Sequence, residues 1–352
     1  MNGERDPAAG VPVVDLARRA AGLQPGLDAA IARVLRSGRF LLDAETAAFE
    51  GELAESLGRR HAVTVASGTE ALRLAMVAAG IGAGDEVIVP AFTAVPTAAA
   101  VCAAGAVPVP VDVDPETALI DWSLVAAART SRTRLVIPVH LYGRPAEIPE
   151  IGVPVLEDAA QALGACDPGG GSIAAAYSFY PTKNLGGIGD GGAVVTDDDA
   201  LADRVRLLRR HGLTDAGGYV HSLIAGNSRL SELEAAALRV ALPGLAAANG
   251  RRRQIAGAYR AAAPELRWQA PHERHVYHLC VARVPDRDGF RDRMPFHTAV
   301  HYSCPLTRQP AYQGFAREQC PVAEEWASAC VSLPCFPEMT DEEIGAVCNA
   351  LP

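Results

Sequence analysis

Residues 61–111, HAVTVASGTEALRLAMVAAGIGAGDEVIVPAFTAVPTAAAVCAAGAVPVPV, alternate short apolar stretches with longer segments rich in alanine. The apolar stretches are rich in valine and isoleucine, which is typical of strands buried on both faces of a sheet. The segments between them are long enough for helices. We therefore predict strands at Ala62–Ala66, Glu86–Val89 and Val107–Val111, and helices at Thr69–Ala79 and Ala94–Ala104.

The same alternation continues towards the C-terminus, and a helix at Glu45–Leu57 precedes it. Further strands are predicted at Leu135–Val139, Val153–Leu156 and Ala193–Val195. Strands and helices that alternate in this way form a layered α/β domain with a mostly parallel central sheet. We expect this larger domain to cover residues 1–245.

The pattern changes after residue 228. A long helical run, Arg229–Ala263, is broken at Pro243-Gly244, and strand-like pieces follow at Tyr277–Val284 and Ala299–Tyr302. Thr340 opens a last helix with capping-box spacing. We expect residues 246–352 to form a smaller α+β domain.

The composition narrows the class of protein. The chain has 352 residues, a formal net charge of −9 and 49% hydrophobic residues, as a folded globular protein does. The basic run Arg251–Arg253 is too short for a nucleic-acid surface, so nucleic acid is not an expected partner. No stretch has the length and apolarity of a membrane span, and no secretory leader is visible. The eight cysteines show no metal-like pairing, so we expect reduced thiols, no metal site and a cytoplasmic protein.

Lys183 is the one lysine among 32 basic residues. Arginine replaces lysine readily on a surface, but a guanidinium stays protonated and cannot attack a carbonyl. Lys183 is therefore a candidate nucleophile. A surface lysine retained by chance is the alternative.

Two polar motifs follow the strands predicted at Ala62–Ala66 and Val153–Leu156, and a glycine-rich one lies in a loop after a further strand. Ligands bind at such strand ends in open α/β sheets. Ser67-Gly68-Thr69-Glu70 opens a helix whose free amides suit a phosphate, although an ordinary helix cap has the same pattern. In Glu157-Asp158-Ala159-Ala160-Gln161, Asp158 suits a protonated ring nitrogen and Gln161 a ring oxygen. Asp158 alone fits a helix N-cap equally well. Ser178 could donate to a phosphate, and Lys183 follows it in a loop that ends in several glycines.

Together these motifs resemble the sugar aminotransferases of the DegT/DnrJ/EryC1/StrS family, which have the aspartate aminotransferase (type I) fold and use pyridoxal 5′-phosphate (PLP). The resemblance extends from about Gly38 to the C-terminus. It is carried by Ala66-Ser67-Gly68-Thr69, Gly84–Pro90, Pro138–Gly143, Glu157–Gln161, Ser178–Gly192, Gly226–Leu230, His301-Tyr302, Arg308–Tyr312 and Ser332-Leu333-Pro334.

The resemblance implies a role for each matching residue. Lys183 would form the Schiff base with PLP and move the proton, as general base and acid. Asp158 would keep the pyridine nitrogen protonated and Gln161 would bind the phenolic oxygen. Gly68, Thr69 and Ser178 would hold the phosphate, so this set makes up the cofactor site within one chain.

Two further residues are implied to act across a homodimer interface with shared active sites. Asn227 would reach the phosphate of the neighbouring subunit, and Arg229 would bind the carboxylate of the amino donor, L-glutamate. Tyr302 and Thr307 fall in the segments that would contact the nucleotide sugar.

Three positions depart from the family pattern. Ala94 stands where members carry an aromatic residue that stacks on the cofactor ring, so either Phe92 stacks there instead or that face of the ring is covered differently. Thr307 replaces a histidine, which weakens part of the expected sugar-nucleotide contact. Glu234 replaces a glutamine of the long helix.

The residues around Lys183 are most similar to enzymes that act at C-3 of a dTDP-linked 3-keto-6-deoxyhexose. Two alternatives stay open at this point. One is amination at C-4 or of a cyclitol or non-sugar ketone, which the Thr307 departure suggests. The other is a regulatory or binding protein that keeps the fold without turnover, although Lys183, Asp158 and Gln161 favour catalysis.

Overall fold

The computed structural model describes residues 10–165, 171–214 and 218–352. The α-helices are α1 (Leu16–Gly22), α2 (Gly26–Ser37), α3 (Ala44–Ser56), α4 (Gly68–Ala78), α5 (Pro96–Ala103), α6 (Trp122–Ala128), α7 (Asp199–Leu208), α8 (Glu232–Ala241), α9 (Leu245–Ala262), α10 (Arg287–Arg293), α11 (Pro321–Ala329) and α12 (Asp341–Ala350). The strands are β1 (His61–Val65), β2 (Glu86–Pro90), β3 (Val107–Val111), β4 (Thr133–Val136), β5 (Leu156–Asp158), β6 (Ala174–Ser178), β7 (Gly192–Thr196), β8 (Arg267–Trp268), β9 (Cys280–Arg283) and β10 (Cys330–Leu333).

Seven strands form the central layer, in the order β3-β2-β4-β5-β6-β7-β1. Two groups, β3-β2-β4 and β5-β6-β7-β1, are joined by parallel bridges from Val136 to Val155 and from Val139 to Asp158. Strand β7 is antiparallel to both of its neighbours, and the other neighbouring strands are parallel. The prediction of an α/β fold with a mostly parallel sheet is confirmed.

Side chains alternate between the two faces of this sheet, because successive strand residues point in opposite directions. In β6, Ala174 and Ala176 pack in the core formed with α4, α5 and α7, whereas Ala175 and Tyr177 pack in the core formed with α3 and α8. Helices therefore cover both faces. Ligands can approach only at the strand ends, which is where the sequence motifs lie.

The C-terminal part has its own antiparallel sheet, ordered β10-β9-β8. Its apolar side packs with α9 and α12 around Ile255, Tyr259 and Phe336. Helix α9 begins at Leu245, beside the boundary expected from the sequence. The division into residues 1–245 and 246–352 stays a prediction.

Most predicted elements are present with their ends moved by a few residues, but one is wrong. The strand expected at Ala299–Tyr302 is reduced to a single bridge between Ala299 and Ser332. Beyond Ala299 the chain leaves the sheet edge, and His301 and Tyr302 line a cleft at the end of the central sheet. In the described residues, no helix combines the length and apolarity needed to cross a membrane.

Candidate active site

The cleft lies at the C-terminal ends of β5 and β6, beside the turn that follows β1. Its volume is about 510 Å³. This size lies within the range for small-molecule sites. Seven residues proposed from the sequence line it. Tyr302 comes from the C-terminal part, and the other six come from the part of the chain that forms the central sheet. They are Gly68, Thr69, Asp158, Gln161, Ser178 and Lys183.

Gly68 and Ser178 form a narrow cradle at the start of α4. A Cβ atom on Gly68 would lie 2.7 Å from Cβ of Ser178, so any larger residue would close this approach. The Ser67 hydroxyl caps the helix by accepting from the Glu70 amide at 3.2 Å. The first-turn amides of a helix lack partners within it and favour an anion. The cap and the phosphate cradle are therefore compatible.

Asp158 is a buried carboxylate with two polar partners. Thr97 Oγ1 donates to its Oδ2 at 2.8 Å, and the Ala160 amide donates to Oδ1 at 3.2 Å. Burial raises the pKa of Asp158, and the bond from Thr97 opposes this shift. The residues that follow form turns up to residue 165, so Asp158 is not the N-cap of an α-helix.

The Gln161 amide is held in one orientation. Its Oε1 accepts from the Tyr142 amide at 2.7 Å, and its Nε2 donates to the Tyr302 hydroxyl at 3.0 Å. Nε2 has a second proton, which a ring oxygen in the cleft could accept. Gln161 therefore retains the donor that its expected role requires.

Lys183 lies in the turn after β6. Burial lowers the pKa of its amine to about 8, and the negative charge of Asp158 opposes this shift. At pH 7 roughly a tenth of such an amine is neutral, against far less than one per cent of an ordinary lysine. The neutral amine is the nucleophilic form. A buried carboxylate, a nucleophilic amine and an anion cradle in one cleft fit the parts of PLP.

The structure places Phe92 outside the cleft, contrary to the expectation that it stacks on the cofactor. Its ring is fully buried and packs against Trp326, with centroids 6.0 Å apart. Ala94, Val95 and Pro96 line the cleft on this side. Phe92 follows the end of β2, and its side chain points into the core. It therefore does not reach the cleft.

Three other predicted residues also lie outside the cleft of this chain. Asn227 and Arg229 bond to each other at 2.8 Å near the surface. Thr307 follows Leu306, and its hydroxyl is buried without a partner in the described structure. The structure also brings His278 and His301 into the cleft wall, which local sequence patterns did not reveal. Burial lowers the pKa of both imidazoles.

Glu234 is buried beside the glycine turn that follows Lys183. A Cβ on Gly187 would overlap its carboxyl group, so the glycine makes room for it. Burial raises the Glu234 pKa to about 7, although the amides of Gly189 and Ile188 stabilise the charge. The charge of Asp190 adds to the increase.

Replacing Glu234 with glutamine is expected to stabilise the protein at alkaline pH. Between the unfolded pKa and about pH 7, the unfolded chain loses this proton and the folded chain keeps it, so the free energy of unfolding falls as pH rises. Glu234→Gln should recover about 3 kcal/mol at pH 8 and almost nothing at pH 4. Thermal unfolding of the variant at the two pH values measures this.

Glu232 provides a matched control on the same helix. Its carboxylate accepts from the amides of Asp43 at 2.9 Å, Glu45 at 2.7 Å and Thr46 at 3.0 Å. Glu232→Gln should therefore lower the melting temperature at pH 8. An equal gain for Glu234→Gln at both pH values would contradict the explanation.

Comparison with known proteins agrees with this geometry. The model of the DegT/DnrJ/EryC1/StrS aminotransferase family matches residues 24–352. The chain is 43% identical to a dTDP-3-amino-3,4,6-trideoxy-α-D-glucose transaminase of Streptomyces venezuelae, over 97% of this chain and 95% of that protein. The crystal structure of S. venezuelae DesV with a ketimine intermediate superimposes with a TM-score of 0.92 and 42% identity, covering 97% of both chains.

A third similar protein is NtdA of Bacillus subtilis, solved with bound cofactor PMP. Its TM-score is 0.93 at 29% identity, and the match covers 99% of this chain and 86% of that one. The match to the family model leaves out only the first residues of the chain. The chain belongs to the DegT/DnrJ/EryC1/StrS aminotransferase family and is a PLP-dependent enzyme of that family.

Proposed function

We propose that this enzyme moves an amino group from L-glutamate to C-3 of a dTDP-linked 3-keto-6-deoxyhexose. The observation that carries the proposal is the buried amine of Lys183, which shares a cleft with Asp158, Gln161 and the Gly68–Ser178 cradle. The similarity to a transaminase named for a 3-amino sugar supports the position on the ring.

Bound PLP supplies an electron sink for the carbon from which a proton is removed. Lys183 would hold PLP through its amine, and the same amine would hold and move that proton. The charge of Asp158 keeps the ring nitrogen protonated. Thr97 and the Ala160 amide hold the Asp158 carboxylate in place, at 2.8 Å and 3.2 Å. Gln161 orients the ring, and Gly68, Thr69 and Ser178 bind the phosphate.

The assignment to C-3 depends on the turn that carries the lysine. Tyr180 and Thr182 line the cleft on either side of Pro181, so they can discriminate the position of the keto group. A keto carbon displaced by one ring position would miss the approach needed for attack. Thr307, which suggested a cyclitol or non-sugar acceptor, lies outside the cleft and does not favour that alternative.

The test compares 3-keto and 4-keto dTDP-6-deoxysugars at equal concentration, with glutamate as donor. We expect at least about 100-fold faster turnover of the 3-keto sugar, with the product identified by mass and by the coupling of its ring protons. Faster turnover of the 4-keto sugar would refute the C-3 assignment. It would leave the aminotransferase activity unaffected.

The two residues implied to act across subunits support a homodimer with shared active sites. No arginine of the described chain lines the cleft, so the carboxylate of glutamate lacks a guanidinium partner from the same subunit. The segment that precedes Asn227 and Arg229 in the chain carries exposed apolar side chains, among them Tyr219 at 82% and Ile224 at 106% relative exposure. We propose that this surface packs on a second copy and that Asn227 and Arg229 complete its site.

Co-expression of two inactive variants tests the shared site. Lys183→Arg and Arg229→Ala should each be inactive, whereas mixed dimers contain one site with neither change. Random pairing then restores about a quarter of wild-type activity. Failure of the mixture to recover activity, or an active monomer by light scattering, would exclude the arrangement.

A further inference from the structure

An arginine of the first helix contacts the backbone of the turn that carries Lys183. Arg19 Nη1 donates to the carbonyl oxygens of Pro181 at 3.1 Å and Lys183 at 3.0 Å. Its Nη2 donates to the carbonyl oxygen of Asn184 at 3.4 Å. One guanidinium therefore spans the turn from Pro181 to Asn184.

Among the residues that the structure describes, Arg19 has no competing ion pair that would explain its position. Burial lowers its pKa, and Glu338 is the carboxylate that opposes the shift without forming an ion pair in the described residues. Gly186 leaves the space that the guanidinium occupies, since a Cβ there would lie 2.8 Å from Nη1. A guanidinium removed from water retains its charge. The N–H groups of Arg19 donate here to backbone carbonyls instead of to water.

The opposite side of the same turn is anchored to other elements. Asn184 Nδ2 donates to Oδ1 of Asn249 in α9 at 2.7 Å and to the Val276 carbonyl at 3.0 Å. Within the turn, the Lys183 amide donates to the Tyr180 carbonyl at 2.8 Å. With α1 on one side and α9 on the other, the Lys183 backbone is fixed while its side chain lines the cleft.

We propose that Arg19 is a positioning residue for Lys183, whose three bonds to the backbone of the turn set the place of the amine relative to Asp158. The inference rests on the proposed role of Lys183. Arg19 does not line the cleft and touches no substrate. Its loss acts only through the turn, and a misplacement of about 1 Å at a reacting group costs roughly 100-fold in rate.

Arg18 provides the matched control, because it is the adjacent residue of the same helix and contacts different partners. It donates to the Glu343 carboxylate at 2.7 Å and 2.8 Å and to the Glu338 carbonyl at 2.8 Å. Arg18→Ala therefore weakens the docking of α1 without removing a bond to the turn. Arg19→Ala removes all three bonds to the turn, and Arg19→Gln serves if the alanine variant does not fold.

The first measurement is amide hydrogen exchange in the cofactor-free protein. The amides of Lys183 and Gly187 bond to the Tyr180 and Phe179 carbonyls at 2.8 Å each. We expect them to exchange at least about tenfold faster in the Arg19 variant and unchanged in the Arg18 variant. The second measurement is turnover of the holoenzyme, where kcat should fall about 10- to 100-fold for Arg19→Ala, with little change in KM for glutamate.

Equal effects of the two variants on exchange and on kcat would overturn the proposal, because they would assign the effect to helix docking in general. Unchanged exchange in the Arg19 variant would overturn it as well. Borohydride labelling of the wild-type holoenzyme separates this from the proposed function. Absence of label at Lys183 refutes the role of the lysine, whereas the exchange result tests the contact itself.

Discussion

Lys183→Arg is expected to abolish transamination, with a loss of at least about 10³-fold in turnover. Arginine keeps the positive charge but its guanidinium stays protonated, so it neither attacks a carbonyl nor accepts the transferred proton. Borohydride reduction of the wild-type holoenzyme should attach pyridoxyl to the peptide that contains Lys183. The variant should carry no such label.

The composition of the chain offers a sharp control for this experiment. Arg33 pairs with Glu45 at 2.5 Å, and its side chain is half exposed. Arg33→Lys in the Lys183→Arg background restores the number of lysines at a position outside the cleft. This double variant should stay inactive and unlabelled. Recovery of activity, or label only at the N-terminal amine of the wild type, would contradict the role of Lys183.

Asp158→Asn is expected to lower turnover by about 10²- to 10⁴-fold while the fold is retained. Removal of the charge leaves the ring nitrogen without the partner that keeps it protonated, so the electron sink is weakened. Turnover of the purified variant, with its cofactor content measured, gives the size of the effect. Near-normal activity would show that Asp158 has only a structural role.

The stability of the same variant separates catalysis from folding. Burial raises the Asp158 pKa, so above the unfolded pKa the charged group costs folding free energy, and the cost persists at neutral pH. Removal of the charge should leave the melting temperature of the cofactor-free protein unchanged or slightly higher at pH 7. Thr97→Val provides the comparison: it removes only the 2.8 Å bond to Asp158 and should lower turnover by about tenfold.

The strands and site residues that the sequence predicted are those that short stretches of residues reveal. Strand periodicity located the layers to within a few residues, and glycines and polar groups at strand ends located Gly68, Asp158, Ser178 and Lys183. These predictions hold because strand residues alternate between faces and because parallel strands end at one edge. The cofactor was implied by the family resemblance that the motifs carry together, since no one of them was specific.

The parts that the sequence missed depend on contacts between distant residues. Tyr302 was a predicted site residue, but its bond to Gln161 spans 141 positions and was not predicted. His278, from a predicted strand, lines the cleft and was not predicted to do so. Phe92 was the candidate to stack on the cofactor ring because it is aromatic and near Ala94. Its side chain instead packs in the core against Trp326. The elevated pKa of Glu234 depends on the enclosure of its carboxyl, which no local pattern reveals.

The solitary lysine has a practical consequence for counting functional molecules. Amine-reactive reagents modify neutral amines, and this chain offers them Lys183 and the N-terminal amine alone. The Lys183 pKa of about 8 makes its amine reactive in mildly alkaline buffer. Cofactor attached to that amine, as we propose, would block its acylation. When the amino donor is absent and the reagent reacts to completion, the fraction of chains acylated at Lys183 should therefore equal the fraction without covalently attached cofactor. Mass spectra of the intact and the digested protein then give an active-site titration.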